Sequence, residues 1–90
     1  MNSAVDVRIH GRVQGVGFRW HVLRTAERLG AVGFVRNTHD GEVEIHAEGS
    51  REGLDALLRE VRIGPSSAHV VDLDIRWISP TEEYSRFEIR

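Results

Sequence analysis

The chain has 90 residues, with 12 arginines, no lysine, 14 acidic side chains, a net charge of −2 and no cysteine. These numbers exclude disulfides, cysteine metal sites and phosphatases that work through a phosphocysteine. They also argue against a broad electrostatic grip on nucleic acid, which needs a basic excess on one face. A chain of this length buries about 60–65% of the surface it exposes when unfolded, enough for one modest core, so residues 1–90 are expected to form a single domain. No stretch approaches the ~20 apolar residues of a membrane span. Met1 to Ser3 lead straight into a strand pattern without the charged start and apolar run of a leader. The expectation is a soluble, cytoplasmic protein, and a cysteine-free chain fits a reducing compartment.

Taken in chain order, Val5, Val7 and Ile9 alternate with Asp6, Arg8 and His10, the pattern of a half-buried strand. Three glycines then interrupt the run Gly11 to Arg19. Val22, Ala26 and Leu29, with Leu23 beside them, recur at helical spacing, and Gly30 stands where a helix C-terminal glycine belongs. Val32 to Asn37 reads as a second strand, and Asp40-Gly41 as a hairpin signal. Val43, Ile45 and Ala47 alternate with Glu42, Glu44, His46 and Glu48 in a third strand. Ser50 can cap a second helix, whose stripe is Leu54, Leu57, Leu58 and Val61. Gly64-Pro65 ends it. Val71, Leu73, Ile75 and Trp77 alternate with Asp72, Asp74 and Arg76 in a fourth strand. Ser79-Pro80 breaks that strand, and Phe87 with Ile89 suggests a short fifth. The order βαββαβ with a terminal strand predicts a ferredoxin-like α+β sandwich, with a mainly antiparallel sheet and two helices on one face. That fold hosts many functions, so chemistry must be argued from a site.

Two segments offer one. Glycines at 15 and 17 let successive amides turn the same way and form an anion nest. The nest would lie between a strand and a helix, where the helix N-terminus adds partial positive charge. Arg19 in the first helical turn could fork onto an anion held there. The same residues also read as an ordinary glycine-rich connection beside a surface arginine. Because every basic residue is arginine, its identity at one position carries little information. Asn37 ends the second strand. It reads either as a turn asparagine or, if the loops curl together, as a neutral amide that accepts from and donates to a water molecule.

The run Gly11-Arg12-Val13-Gln14-Gly15-Val16-Gly17-Phe18-Arg19 closely resembles the first signature of the acylphosphatase family. Gly33-Phe34-Val35-Arg36-Asn37-Thr38-His39-Asp40-Gly41-Glu42-Val43, continuing to Gly49, resembles the second. Gly64-Pro65-Ser66-Ser67-Ala68 and Phe87-Glu88-Ile89-Arg90 also look like the family, so the similarity spans nearly the whole chain. Phe34 stands where many members have tryptophan, and Arg62-Ile63-Gly64-Pro65 is slightly unusual; neither departure is expected to touch the site.

The resemblance implies a hydrolase that splits the carboxyl–phosphate bond of acyl phosphates without a metal or other cofactor. Arg19 and the amides of Gln14, Gly15, Val16, Gly17 and Phe18 would bind the phosphoryl group. Asn37 would orient the attacking water. The implied partner is a small-molecule acyl phosphate, with no nucleic acid and no membrane, and a monomer is the simplest expectation. The alternative keeps the fold and drops turnover: a module that binds or senses an acyl or carbamoyl phosphate. Related domains stand at the front of larger carbamoyl-transfer proteins, whereas this chain ends after one domain, which favours the free enzyme.

The remaining charged residues read as structure. Asp72 and Asp74 alternate with apolar residues and are taken as a solvated strand face, as are Glu42, Glu44 and Glu48. The five histidines are scattered without metal-site spacing, although His21 and His39 lie near the two signatures and could tune a site electrostatically. Trp20 and Trp77 are assigned to core or rim. The third strand lacks the aromatic signature of an RNA-recognition sheet.

Overall fold

The computed structural model describes residues 2–90. Strand β1 (Asn2–Arg12) leads through a short loop to helix α1 (Phe18–Arg28). Strands β2 (Val32–Asn37) and β3 (Val43–Ser50) form a hairpin, followed by α2 (Arg51–Ile63), β4 (His69–Ile78) and β5 (Phe87–Ile89). The sheet order is β4-β1-β3-β2-β5. The β1–β3, β1–β4 and β2–β3 pairs are antiparallel, and β5 alone pairs in parallel, on β2. Both helices pack on the sheet and against each other, so they share one face. The architecture is the ferredoxin-like α+β sandwich expected from the element order.

Period-two alternation puts Val5, Val7, Ile9, Val43, Ile45 and Ala47 against Val22, Ala26, Leu54, Leu57 and Val61, all buried in one cluster. Burying a side chain such as Leu54 or Leu57 contributes roughly 1.5–3 kcal/mol. Helix α2 starts on a side-chain cap: the Gly53 N–H donates to Ser50 Oγ at 3.0 Å, worth about 1 kcal/mol. Helix α1 starts on Gly17 and has no side-chain cap.

Two expectations fail for physical reasons. Alternation assigns Val71 to the buried side of β4, but it is 68% exposed. The β1–β4 register shifts between His10 and Gly11, so that Gly11 pairs with Val70. The bulge turns Val71 outward and lets Val70 pack on the core instead. Gly11 permits it, since a Cβ there would lie 2.1 Å from the His69 carbonyl oxygen.

Alternation assigns Glu48 to a solvated strand face, but it is 2% exposed. The chain between β4 and β5 crosses the sheet face away from the helices and closes over it. The Glu48 carboxylate accepts from Thr81 N (3.0 Å), Thr81 Oγ1 (2.8 Å) and Glu82 N (2.9 Å). His46 Nε2 lies 2.6 Å from Glu48, and His46 Nδ1 lies 2.7 Å from Asp6. Burial opposes the Glu48 charge, but these donors outweigh it and hold the pKa at about 2. Glu42 and Glu44 stay half-exposed and pair with Arg8 at 3.1 and 3.5 Å. Asp72 and Asp74 are exposed, as expected.

Candidate active site

The loop between β1 and α1 is pinned at both ends. Val13 and Phe18 are each 1% exposed, while Gly15 and Gly17 between them are exposed. Gly15 and Gly17 have φ of 73° and 77°. Left-handed φ at alternate residues is the backbone pattern from which an anion nest is built. A Cβ at either glycine would meet nothing within 4 Å, so the glycines serve conformation rather than close packing. The main-chain N–H groups of the first turn of α1 lack a capping side chain, and no acidic residue stands among them. These are free donors at the positive end of a helix.

A cavity of about 180 Å³ opens at this junction, lined by Val13, Gly15, Gly17, Phe18, Arg19, Trp20, Asn37 and Ile89. Arg19 is half-exposed, and its Nη1 donates to the main-chain oxygen of Arg90 at 3.4 Å. That weak contact leaves most of the guanidinium fork uncommitted. Asn37 closes the other side. Its Oδ1 is buried and has no hydrogen-bond partner, a costly state for a polar atom unless a ligand or water fills it. The cavity therefore offers amide donors, a guanidinium and an unpaired side-chain acceptor in one small space.

Of the seven site residues picked from the sequence, the structure brings Gly15, Gly17, Phe18, Arg19 and Asn37 to this cavity. The side chain of Gln14 points elsewhere: its Nε2 donates to the carbonyls of Thr38 (2.9 Å) and Glu42 (2.7 Å). It thereby ties the loop to the turn that follows Asn37. Val16 packs on the core, and its carbonyl accepts from Ser67 Oγ at 3.2 Å. Phe34, the departure from the second signature, lies on the far face of the sheet beneath the Arg90 guanidinium, 4.4 Å from it.

The other departure does bear on the site. Gly64 sits so close to Phe18 that a Cβ would be 2.9 Å from the ring. The connection 64–67 therefore backs the loop, a contact that sequence spacing does not reveal. Trp20 and Ile89 also line the cavity, and no sequence signal marks either as a site residue. His21 stands edge-on to Phe18, with ring centroids 6.2 Å apart, and its Nε2 is buried without a partner. His39 is exposed in the β2–β3 turn.

A larger groove of about 680 Å³ lies on the far face, but many of its ions are already matched. Arg8 pairs with Glu42 and Glu44, and His10 with Glu42 and Asp74. Among the described residues, no group of three His, Cys, Asp or Glu side chains is placed to hold a metal ion. No helix among these residues is long and apolar enough to cross a membrane.

Fold and cavity together give a ferredoxin-like fold whose strand–helix junction presents main-chain donors, a guanidinium and an unpaired acceptor. The acylphosphatase family model matches residues 5–89. A Salinibacter ruber acylphosphatase is 43% identical over 86 residues, covering 96% of this chain and 90% of the relative. A Nocardioides acylphosphatase is 50% identical over 76 residues, covering 84% and 77%. The crystal structure of acylphosphatase from Bacillus subtilis superposes with a TM-score of 0.95 at 36% identity, covering 100% of this chain and 99% of that one. The chain belongs to the acylphosphatase family, and thus to the hydrolases that act on acyl phosphates.

Proposed function

We propose that residues 1–90 act as one metal-free acylphosphatase domain. In this reading Arg19 and the main-chain amides from Gln14 to Phe18 hold the phosphoryl group, and Asn37 holds the attacking water. The observation that carries it is the pairing of opposites at one cavity: uncapped donors on the loop and α1, and the buried, unpartnered Oδ1 of Asn37. Donors suit the phosphoryl oxygens, and an acceptor suits a water proton. A carboxylate in place of Asn37 would repel the phosphate.

The water oxygen bonds to phosphorus as the bond from phosphorus to the acyl oxygen breaks. The electron pair leaves with the carboxylate. Its conjugate acid has a pKa of about 4, so it departs without a general acid. The water's proton passes to a phosphate oxygen of the substrate. Phosphoryl transfer of this kind is mainly positioning and charge stabilisation, which amides and one guanidinium can supply.

Such a site is complete within one chain, and the reading takes the protein as a monomer acting in the cytoplasm. Asn37→Ala tests the division of roles. It should reduce turnover to background while inorganic phosphate still binds. Turnover retained with phosphate binding lost would reverse the assignment.

A further inference from the structure

We infer that Trp20, with Ile89, forms the seat for the acyl end of the substrate and selects acyl phosphates with an aromatic or bulky apolar acyl group. The inference rests on the acylphosphatase reading above. Trp20 is 58% exposed and Ile89 37% exposed, and both line the Arg19–Asn37 cavity. Among the described residues no aromatic ring or guanidinium stacks on Trp20, whereas Trp77 lies under Arg51 at 3.6 Å. The indole, with no ring or guanidinium covering it, stands at the rim of a cavity that Arg19 and Asn37 also line.

In-line attack decides which part of the substrate meets it. Asn37 Oδ1 is buried, so the water it holds attacks from the inner side of the phosphoryl group. The acyl oxygen must then leave on the opposite, outer side. There the exposed apolar side chains are Trp20, which follows Arg19 on α1, and Ile89, which comes from β5. A flat aromatic acyl group can cover the indole, while an acetyl group reaches little of it. A contact of this kind discriminates by about tenfold, in line with other apolar specificity contacts.

The test compares kcat/KM for benzoyl phosphate and acetyl phosphate in the wild type, Trp20→Ala and Trp20→Phe. The benzoyl-to-acetyl ratio should fall about tenfold in Trp20→Ala and recover most of the way in Trp20→Phe. The inhibition constant of inorganic phosphate, which occupies the cradle alone, should not follow the ratio. An unchanged ratio in an active Trp20→Ala would overturn the inference and leave the acylphosphatase reading standing. So would a loss that tracks weaker phosphate inhibition, because it would place the effect in the cradle. A folded wild type that hydrolyses neither compound would overturn both.

Discussion

Gln14 Nε2 donates to the carbonyl oxygen of Thr38 at 2.9 Å, so the glycine loop is held against the residue that follows Asn37. The same amide reaches the Glu42 carbonyl at 2.7 Å. One side chain thus sets the distance between the proposed phosphate cradle and the proposed water site. Misplacement of reacting groups by about 1 Å can cost a factor of roughly 100. Gln14→Leu should therefore lower kcat on the order of 10–100-fold while moving the phosphate inhibition constant far less. Equal losses in both would mean that Gln14 shapes the cradle itself.

Arg19 is placed for fork-like contact with phosphoryl oxygens, and its geometry matters as well as its charge. Arg19→Lys should retain part of the activity, while Arg19→Ala should lose on the order of 10²–10³ in kcat, as when a preorganised donor is removed. Arg19 is half-exposed and, among the described residues, its side chain makes only the 3.4 Å contact to Arg90, so both variants should melt close to the wild type. Steady-state kinetics beside thermal unfolding separates the effects.

Two glycines of the first signature should fail in different ways. Gly11→Ala drives a Cβ into the His69 carbonyl, 2.1 Å away, and should destabilise the fold by roughly 3 kcal/mol. Gly15→Ala meets no neighbour but must hold φ near 73°, at a cost of about 1–2 kcal/mol. Relaxing that strain turns the nest amides away, so Gly15→Ala should weaken phosphate inhibition out of proportion to its stability loss. Urea unfolding and phosphate inhibition, measured together, check both.

The Asp6–His46–Glu48 chain makes stability depend on pH at two ends. Burial works against the His46 charge, but hydrogen bonds and attraction from Asp6 and Glu48 prevail, and its pKa is raised. His10 is raised too, by Asp74 first and then Glu42. A raised folded pKa stabilises fully below the unfolded value near 6.5 and is lost as pH climbs through the folded value. Glu48 is the reverse: its contribution is present above the unfolded carboxylate range and is lost as pH falls toward about 2. Unfolding free energy should therefore decline as pH rises above about 6.5, and His46→Gln should flatten that slope. The part contributed by His10 should persist, so a slope undiminished in His46→Gln would remove His46 as a source.

Much of the fold was legible because alternation and helical stripes survive in the core. Val5 to Ile9, Val43 to Ala47 and Leu54 to Val61 all occupy the faces their spacing assigned. The misassignments lie where distant chain segments act. Val71 is turned out by a bulge in β4 opposite His10 and Gly11 of β1, and Glu48 is buried by Thr81 and Glu82. At the site, Gly15, Gly17, Arg19 and Asn37 were visible as motif residues. The braces supplied by Gln14, Gly64 and Ser67 were not, because each joins segments far apart in sequence. Trp20 and Ile89 were hidden for a plainer reason: an apolar residue at a rim carries the same letter as one in a core.

The central claim is tested most directly by benzoyl phosphate hydrolysis in excess chelator, with wild type and Arg19→Ala side by side. Turnover should resist the chelator in the wild type and fall at least ~10²-fold in the variant. Turnover that vanishes with chelator and returns with a divalent cation, or an Arg19→Ala as active as the wild type, would contradict it.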